Sequence, residues 1–335
     1  MNHVQTVLGP VSPESLGRVL PHEHLTSLVP GPWLTGGRAD DQVQVAVGAL
    51  AGIHELGFGT VVDLSPYGVV GRDANGDGLS LLQDIAREAG LHIVAGSSVY
   101  LEPYSPQWAL DADLRQMRER FIADATVGVA ETGITVGALG EQATGLGEIT
   151  RHEEKCLRAS AQASLETGLA LFTHTTHGTM ALEQVEIVRQ EGVDLSRVVI
   201  GHMDIHPDPG YLRALLATGV NIAFDTIGKQ FWDFVLEPLP LDPPEGEFAK
   251  RAYYRPDVAR AQVLADLVRE GQAEQILLAL DMTGAEVYLN PRTHGRAGYS
   301  YLGAVFVPML AERGVGAQAL DQMLARNPAR LLTIT

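Results

Sequence analysis

Six side chains of the kinds that bind metal ions are spread over most of this chain, each near the end of a predicted β-strand. They are His22, His24, Glu141, His174, His202 and Asp281. Four imidazoles and two carboxylates are the ligand set that zinc and other borderline divalent metals select. If one carboxylate bridges two ions, the pair generates hydroxide at neutral pH and directs it at an electrophilic carbon or phosphorus. These residues therefore predict a hydrolytic metal centre, and they say less about its substrate.

Short apolar strands alternate with amphipathic helices along the whole chain. Nearly continuous apolar runs, such as 198–200 and 276–280, are typical of parallel strands that are covered on both faces. Eight strands are predicted, at residues 18–24, 59–65, 91–97, 135–142, 169–174, 198–203, 220–226 and 276–282. Because the strand–helix units follow one another without a break in composition, we predict a single (β/α)8 TIM barrel domain over residues 1–335. An open doubly wound sheet is the alternative, but barrel active sites lie at the C-terminal strand ends, where all six side chains fall.

The strand positions of these residues suggest how each would act. Residues two apart in a strand point the same way, so His22 and His24 are expected to converge on one ion while Glu23 points toward the helices. Glu141 closes an apolar, glycine-rich run, where an unpaired carboxylate would be costly. It is therefore expected to bridge two cations, with an ion pair to a nearby Arg or Lys as the alternative.

The other ligand candidates also close apolar strands. One such histidine would more often be a hydrogen-bonded core residue, but His174 and His202 end adjacent predicted strands, which favours ligation. Asp281 can touch a metal with one oxygen and hydrogen-bond the attacking water. We expect it to be the catalytic residue that removes a proton and later returns it to the leaving group.

Five further residues are candidates for contact with substrate. Arg72 and Lys229 are basic residues soon after the second and seventh predicted strands and could bind an anionic group, with surface or structural roles as the alternative. Tyr100 follows the third strand, and the loop residue His177 is either a substrate contact or a solvated histidine. Trp232 lies in the long irregular segment 228–256, which is a candidate lid with a surface loop packing its own aromatics as the alternative, and segment 284–298 is a second candidate lid.

Three remaining residues have expected structural roles. Asp204 is expected to orient His202 as a hydrogen-bond acceptor or to cap a helix. Asp63, at the end of the second strand, is expected to be structural. Cys156 lies in a helix that a Thr150–Glu153 capping box would open, and we expect it to be a core residue rather than a nucleophile.

Composition excludes several classes of function. The formal net charge of −17 argues against nucleic acid or anionic membrane as partners and leaves a small-molecule substrate. A single cysteine forms no disulfide within the chain and indicates a reducing cytoplasm. The sequence shows no signal-peptide pattern and no apolar run long enough to span a membrane. It also contains no serine-hydrolase elbow, P-loop or dinucleotide-binding fingerprint.

The chain resembles the phosphotriesterase family of the amidohydrolase superfamily over nearly its whole length. The resemblance is carried by Val7-Leu8-Gly9-Pro10, Pro21-His22-Glu23-His24-Leu25, Gly71-Arg72-Asp73, Thr173-His174-Thr175, Gly201-His202-Met203-Asp204, Phe224-Asp225-Thr226-Ile227-Gly228-Lys229, Asp281-Met282-Thr283, Gly298-Tyr299-Ser300-Tyr301 and Asn327-Pro328. It implies one metal held by His22, His24, Asp281 and the bridging residue. It implies a second held by His174, His202 and the same bridge.

The bridging position departs from the founding members of that family. Their bridge, and that of their lactonase relatives, is a carboxylated lysine, whereas the aligned residue here is Glu141. This resembles the branch called phosphotriesterase homology proteins, which includes the animal phosphotriesterase-related proteins. Relatives that are lactonases for phosphorylated sugars also carry arginines just after the strand-eight aspartate. Here residues 283–286 have none, so a phosphate pocket is weakened unless Arg292 or Arg296 folds back.

The resemblance implies two divalent ions, by default zinc, with manganese, cobalt or iron as alternatives. A hydroxide held between them is expected to attack the carbonyl of a lactone or other carboxylic ester. The second candidate reaction is hydrolysis of an N-acyl amide, and phosphotriester cleavage is expected only as a side activity. A non-catalytic barrel that binds a ligand stays open as another class. Dimers are common in the family, so a homodimer is an expected assembly.

Overall fold

Eight parallel strands form the central sheet of the computed structural model, which describes residues 2–28, 39–235, 250–283 and 298–335. The strands within these ranges, in order, are β1 (Val4–Thr6), β2 (Gly9–Val11), β3 (Arg18–Glu23), β4 (Phe58–Asp63), β5 (His92–Ser97), β6 (Ala138–Thr144), β7 (Leu171–Thr175), β8 (Val198–Ile200), β9 (Asn221–Phe224), β10 (Phe231–Val235), β11 (Lys250–Tyr254) and β12 (Ile276–Leu278). The large sheet has the order β12-β9-β8-β7-β6-β5-β4-β3, and every neighbouring pair is parallel. This topology confirms the predicted barrel.

Helices follow most of these strands and cover the outside of the barrel. They are α1 (Ala39–Leu50), α2 (Ser80–Ala89), α3 (Gln107–Asp111), α4 (Leu114–Thr126), α5 (Arg151–Thr167), α6 (Ala181–Gln190), α7 (Pro209–Leu216), α8 (Asp257–Arg269), α9 (Val307–Ala311), α10 (Ala317–Asp321) and α11 (Asn327–Leu332). The predicted capping box is present at the start of α5, where the backbone N–H of Thr150 donates to Glu153 and the Thr150 hydroxyl accepts from the Glu153 N–H. Cys156 on this helix is buried, as expected. Within the described ranges, no helix combines the length and apolarity that crossing a bilayer requires.

Two of the strands that carry site residues end earlier than the sequence predicts. β8 ends at Ile200 and β12 at Leu278, so His202 and Asp281 lie just beyond the ladder. Both residues have left-handed backbone conformations, with φ values of 59° and 49°. A left-handed residue cannot continue a strand, and its conformation is costly unless the surrounding structure holds it. The chain therefore turns sharply at each of these positions.

Glu23 closes the barrel between its first and last strands. The carboxylate accepts hydrogen bonds from the backbone N–H groups of Leu280 and Met282, each at 2.9 Å. Between these contacts, the Asp281 N–H donates to the His22 carbonyl at 3.1 Å. Glu23, which was expected to point toward the helices, thus bonds backbone donors that lie beyond the end of β12. Burial raises its pKa to about 8, against the lowering effect of the two N–H groups.

Apolar side chains fill the end of the barrel opposite to the C-terminal strand ends. Val19, Val62, Val94, Val199 and Leu277 belong to one buried cluster in the barrel interior. Leu331 and Leu332 of α11 pack against this cluster. A larger apolar layer lies between the strands and the surrounding helices. Because this end is filled, polar chemistry is concentrated at the C-terminal end.

The predicted irregular segment 228–256 contains a pair of strands. β10 and β11 pair antiparallel, with Phe231 opposite Tyr254 and Val235 opposite Lys250. The expectation of an irregular stretch was therefore wrong for these residues. The side chain of Trp232 and the segment 284–297, with Arg292 and Arg296, lie outside the described part of the structure.

Candidate metal centre

The Glu141 carboxylate lies at the centre of the predicted ligands. Its Oε2 is 3.2 Å from His22 Nε2, 3.2 Å from His174 Nδ1 and 3.6 Å from His202 Nε2. Its Oε1 is 3.4 Å from His24 Nε2. All five side chains belong to residues that are at most 9% exposed. The structure thus brings four histidines from the ends of three strands, β3, β7 and β8, around one buried carboxylate.

Asp281 completes the group from the last strand. Its Oδ1 lies 2.9 Å from His24 Nε2 and 3.8 Å from His22 Nε2, and its Oδ2 accepts from the Lys229 ammonium. Burial alone would raise the pKa of Asp281, but Lys229 and the nearby histidines hold it far below its usual value. One oxygen therefore faces the centre, and the other is held by an internal cation.

These donors form groups that could hold metal ions and that share the Glu141 carboxylate. One compact group comprises His22, His24 and Glu141, and another comprises Glu141, His174 and His202. Within the described ranges, His22 Nε2 is buried and makes no hydrogen bond, although it lies near Glu141. A buried nitrogen without a hydrogen bond is costly, and metal coordination would satisfy it. Imidazole and carboxylate are also the donors that such ions prefer.

Asp225 orients two of the histidines. Its Oδ2 lies 2.8 Å from His22 Nδ1, and its Oδ1 lies 3.0 Å from His202 Nδ1 and accepts from the His202 N–H at 2.8 Å. Its carboxylate also forms a compact group with these two histidines. Because Asp225 binds the Nδ1 atoms, it leaves each Nε2 directed at Glu141. We therefore interpret Asp225 as an orienting partner rather than a metal ligand.

Asp204 was expected either to orient His202 or to cap a helix, but Asp225 makes the contact to the His202 ring, and Asp204 lies inside the short helical turn Met203–Ile205, which His202 precedes. Asp204 Oδ2 instead accepts from the Thr226 hydroxyl and from Arg260 Nε. The left-handed turn at His202 carries the chain away from the centre before Asp204. A sequence signal for Asp225 was present, because it ends a predicted apolar strand in the same way as the ligand candidates do.

The electrostatics of the centre favour bound positive charge. Burial alone would lower the pKa of His202, but Asp225 and Glu141 raise it to about 10. The pKa of His22 is also raised, against the effect of burial, by Glu141 and Asp225. Burial would raise the pKa of Glu141, yet the surrounding histidines hold it well below its usual range. The carboxylates therefore stabilise cations in the place where two metal ions are expected.

Glycines immediately before two ligand candidates allow the strands to approach closely. A Cβ on Gly140 would lie 2.6 Å from the Phe172 carbonyl oxygen, and one on Gly201 would lie 2.3 Å from the Thr173 carbonyl oxygen. These separations are too short for any other residue without a shift of the neighbouring strand. The glycines thus let Glu141 and His202 reach the barrel axis.

Tyr100 and His177 are two of the proposed substrate contacts. Tyr100 lies beside the centre, and His177 follows a strand that carries one of the predicted ligands. The Tyr100 hydroxyl is 3.3 Å from His174 Nε2, and the two rings meet edge to face with centroids 4.9 Å apart. Tyr100 is half-buried, so it forms part of the wall beside His174. His177 follows β7, is also half-buried, and has a left-handed backbone with φ 54°.

The two basic candidates do not present their charge to the site entrance. Arg72 is buried and donates to Asp63 Oδ1 at 3.1 Å and to the Gly96 carbonyl at 2.8 Å. Asp63 also accepts from the Leu25 N–H. Arg72 and Asp63 therefore connect segments at the C-terminal end of the barrel strands. Lys229 is only 1% exposed and is paired with Asp281. Arg72 and Lys229 therefore form buried ion pairs, as the structural alternative expects, and the binding of a substrate anion by either residue stays a prediction.

Comparison with known proteins identifies the family of this chain. The sequence model of the Phosphotriesterase family matches residues 2–332. The phosphotriesterase homology protein of Escherichia coli is 28% identical over 94% of this chain and 97% of its own length. Its crystal structure, which has phosphate in the active site, matches with a TM-score of 0.78 over 95% of this chain and 99% of that one.

Two further relatives bear on the chemistry. The N-acetyltaurine hydrolase of Salmo salar is 27% identical over 98% of this chain and 97% of its own length. A solved structure from the engineering of organophosphate hydrolysis on a weak promiscuous lactonase is 28% identical, with a TM-score of 0.82 over 98% of this chain and 99% of that one. The family resemblance seen in the motifs is thereby confirmed. This chain belongs to the Phosphotriesterase family and is a hydrolase.

Proposed function

We propose that this protein is a binuclear metal-dependent hydrolase that cleaves the acyl bond of an N-acyl amide. The observation that carries the proposal is the convergence of four histidines on the Glu141 carboxylate, with Asp281 beside them. One ion would be held by His22, His24, Asp281 and Glu141. The other would be held by His174, His202 and Glu141. Zinc is the default for these donors, with manganese, cobalt and iron as alternatives.

The protein's own residues have distinct tasks in this reaction. Two such ions supply an activated water and a Lewis acid for the substrate carbonyl. Asp281 accepts the proton of the attacking water and passes it to the leaving amine, which must be protonated to depart. Lys229 holds the Asp281 carboxylate in place, and Tyr100 lines the wall beside His174.

The choice of an amide reverses the order expected from sequence, which put lactones and esters first. It is supported by the N-acetyltaurine hydrolases of Salmo salar and Danio rerio, which align with 98% of this chain. A lactone is the second candidate, because a structure of matching fold derives from a promiscuous lactonase. The pairing of Lys229 with Asp281 gives no support to a phosphorylated lactone. Phosphotriester cleavage remains a side activity in this proposal.

Metal analysis and a substrate panel test the proposal together. The purified protein would be loaded with zinc, manganese or cobalt and assayed on N-acetyltaurine, N-acetyl amino acids, simple lactones and a phosphotriester. We expect about two metal ions per chain and the highest kcat/KM on an N-acyl amide. A clear preference for lactones would favour the second candidate. A fully loaded protein that turns over none of these compounds would favour a ligand-binding barrel and overturn the proposal.

A further inference from the structure

We infer that Arg260 is a positioning residue for both sides of the metal centre, acting through Asp225 on one side and Lys229 on the other. The inference rests on the proposed function only in taking the residues around Glu141 as metal ligands. Arg260 itself touches none of them in the described contacts. It would act by holding the turn that follows β9.

Arg260 is a charged residue at the middle of a buried network. It lies on α8 and is 0% exposed. Its Nε donates to Asp204 Oδ2 at 2.7 Å, and its Nη1 donates to Asp257 Oδ1 at 3.0 Å. Its Nη2 donates to the Thr226 hydroxyl oxygen at 3.1 Å and to the Lys229 carbonyl at 3.0 Å. A buried guanidinium is tolerated only when it is fully paired, so this geometry is strongly constrained.

The first connection runs from Arg260 through Asp204 to Asp225. Asp204 Oδ1 accepts from the backbone N–H groups of Asp225 at 3.3 Å and Thr226 at 3.4 Å. Its Oδ2 accepts from Arg260 and from the Thr226 hydroxyl. The Arg260 guanidinium thus holds the Asp204 carboxylate in place, and that carboxylate holds the backbone of Asp225. Asp225 in turn sets the ring orientation of two histidines from different strands.

The second connection runs from Arg260 to the other end of the same turn. Its Nη2 holds the Lys229 carbonyl, and its partner Asp257 accepts from the Gly228 N–H at 3.1 Å and from the Tyr301 hydroxyl at 2.7 Å. The backbone of Lys229 is therefore held while its ammonium contacts Asp281. One side chain of α8 consequently controls contacts to ligands from the first, sixth and eighth barrel strands.

A turn of this kind needs such a partner. Residues 225–229 lie beyond the end of β9, where backbone N–H and C=O groups no longer have a neighbouring strand. Orienting carboxylates affect metal affinity because they fix the tautomer and direction of each imidazole. A small displacement of the turn would move Asp225 and Lys229 together. A local packing residue would not couple these two positions.

The test compares Arg260→Lys with a matched control. Arg260→Lys keeps the positive charge but loses the planar guanidinium, whose three nitrogens contact Asp204, Asp257 and the turn at the same time. The control is Arg197→Lys, because Arg197 lies before β8, at the opposite end of the barrel, and donates to the carbonyls of Arg330 and Thr333. We expect both variants to lower Tm. Only Arg260→Lys should weaken metal binding, by about 10-fold in competition with a chromophoric chelator, and alter the visible spectrum of bound cobalt.

A second variant guards against failure to fold. Asp204→Asn keeps the shape but has a single acceptor oxygen, so it cannot accept from Arg260 Nε and from the backbone N–H groups of the turn at once, and it should also weaken metal binding while Arg197→Lys does not. If Arg260 acts through Asp225, the effects of Arg260→Lys and Asp225→Asn on metal affinity should combine to less than their sum. The inference is overturned if Arg260→Lys and Asp204→Asn bind metal like Arg197→Lys, or if the double variant is additive. A wild-type protein that binds no metal would instead overturn the proposed function, so the two failures are distinguishable.

Discussion

The carboxylate of Asp225 spans two histidines, with Oδ2 2.8 Å from His22 Nδ1 and Oδ1 3.0 Å from His202 Nδ1. In the proposed centre these histidines serve different metal ions. A single carboxylate therefore sets the orientation of one ligand of each ion. This relationship explains how strands from distant parts of the chain can present their Nε2 atoms to Glu141 without independent support for each ring.

Replacement of Asp225 should affect both ions at once. We expect Asp225→Asn to weaken metal affinity by about 10–100-fold, because an amide cannot hold both Nδ1 atoms in the same tautomer. Metal content after dialysis against a chelator would measure this. The control is Asp124→Asn, because Asp124 is equally buried and is bonded to Tyr67 and Ser97 instead. It should cost stability without metal loss, and equal metal retention in both variants would refute the orienting role.

The ligand positions could be predicted from sequence because each closes an apolar strand. A polar residue at the C-terminal end of a buried apolar strand lies at one end of the barrel, and eight parallel strands bring those ends together. The backbone turn at His202 was not visible in the sequence, since a left-handed residue outside glycine depends on tertiary support. That turn decides whether Asp204 or Asp225 reaches the ring. The orienting role that was one of two expectations for Asp204 therefore belongs to Asp225.

The two basic residues show a second limit of prediction from sequence. Arg72 and Lys229 both follow strands, as a residue that binds a substrate anion would, but each is paired with a buried carboxylate. A sequence pattern cannot show whether a long basic side chain will reach a substrate anion or a carboxylate of the protein. The pairing of β10 with β11 was missed for a related reason, because strand pairing between separated segments is not a local signal.

Glu141 is the residue whose loss should remove the shared ligand. In Glu141→Ala, we expect the metal content to fall from about two ions per chain to one or none, and the activity to be lost in parallel. Glu141→Gln keeps the volume but not the charge, so it separates packing from ligation. Elemental analysis together with turnover measures both. Normal metal content in both variants would remove Glu141 from the bridge.

Asp281 should separate metal binding from proton transfer. Asp281→Asn retains an oxygen that can face His24, so we expect the metals to stay largely bound while kcat falls by about 10²–10⁴-fold. Metal content and kcat measured on the same preparation provide the comparison. Unchanged turnover would refute the proton-transfer role. Loss of metal with loss of turnover would show that Asp281 acts mainly as a ligand.

Lys229 should act on all substrates alike. It is buried against Asp281, so Lys229→Met is expected to lower kcat for neutral and anionic substrates by similar factors, leaving the ratio of their kcat/KM values within about 2-fold of wild type. Paired assays on an uncharged N-acyl amide and on N-acetyltaurine measure the ratio. A rise in KM confined to the anionic substrate would instead support the anion-binding role that the sequence analysis left open.

Cys156 offers a probe of the fold that does not depend on metal. Burial raises the pKa of its thiol to about 12, so the native protein should resist alkylation by iodoacetamide at about pH 8 and react only when unfolded. The folded thiol keeps its proton at alkaline pH while the unfolded thiol loses it. The stability is therefore fully present below the unfolded pKa, and this group lowers the free energy of unfolding by up to about 1.4 kcal/mol per pH unit above about pH 9.

The variant Cys156→Ala isolates this contribution. It removes the titrating thiol from α5, so its unfolding free energy should fall less steeply with pH than that of wild type in the alkaline range. Denaturant unfolding of both proteins at several alkaline pH values gives the two slopes. Parallel slopes, or rapid labelling of the native thiol, would contradict the burial of Cys156 on α5.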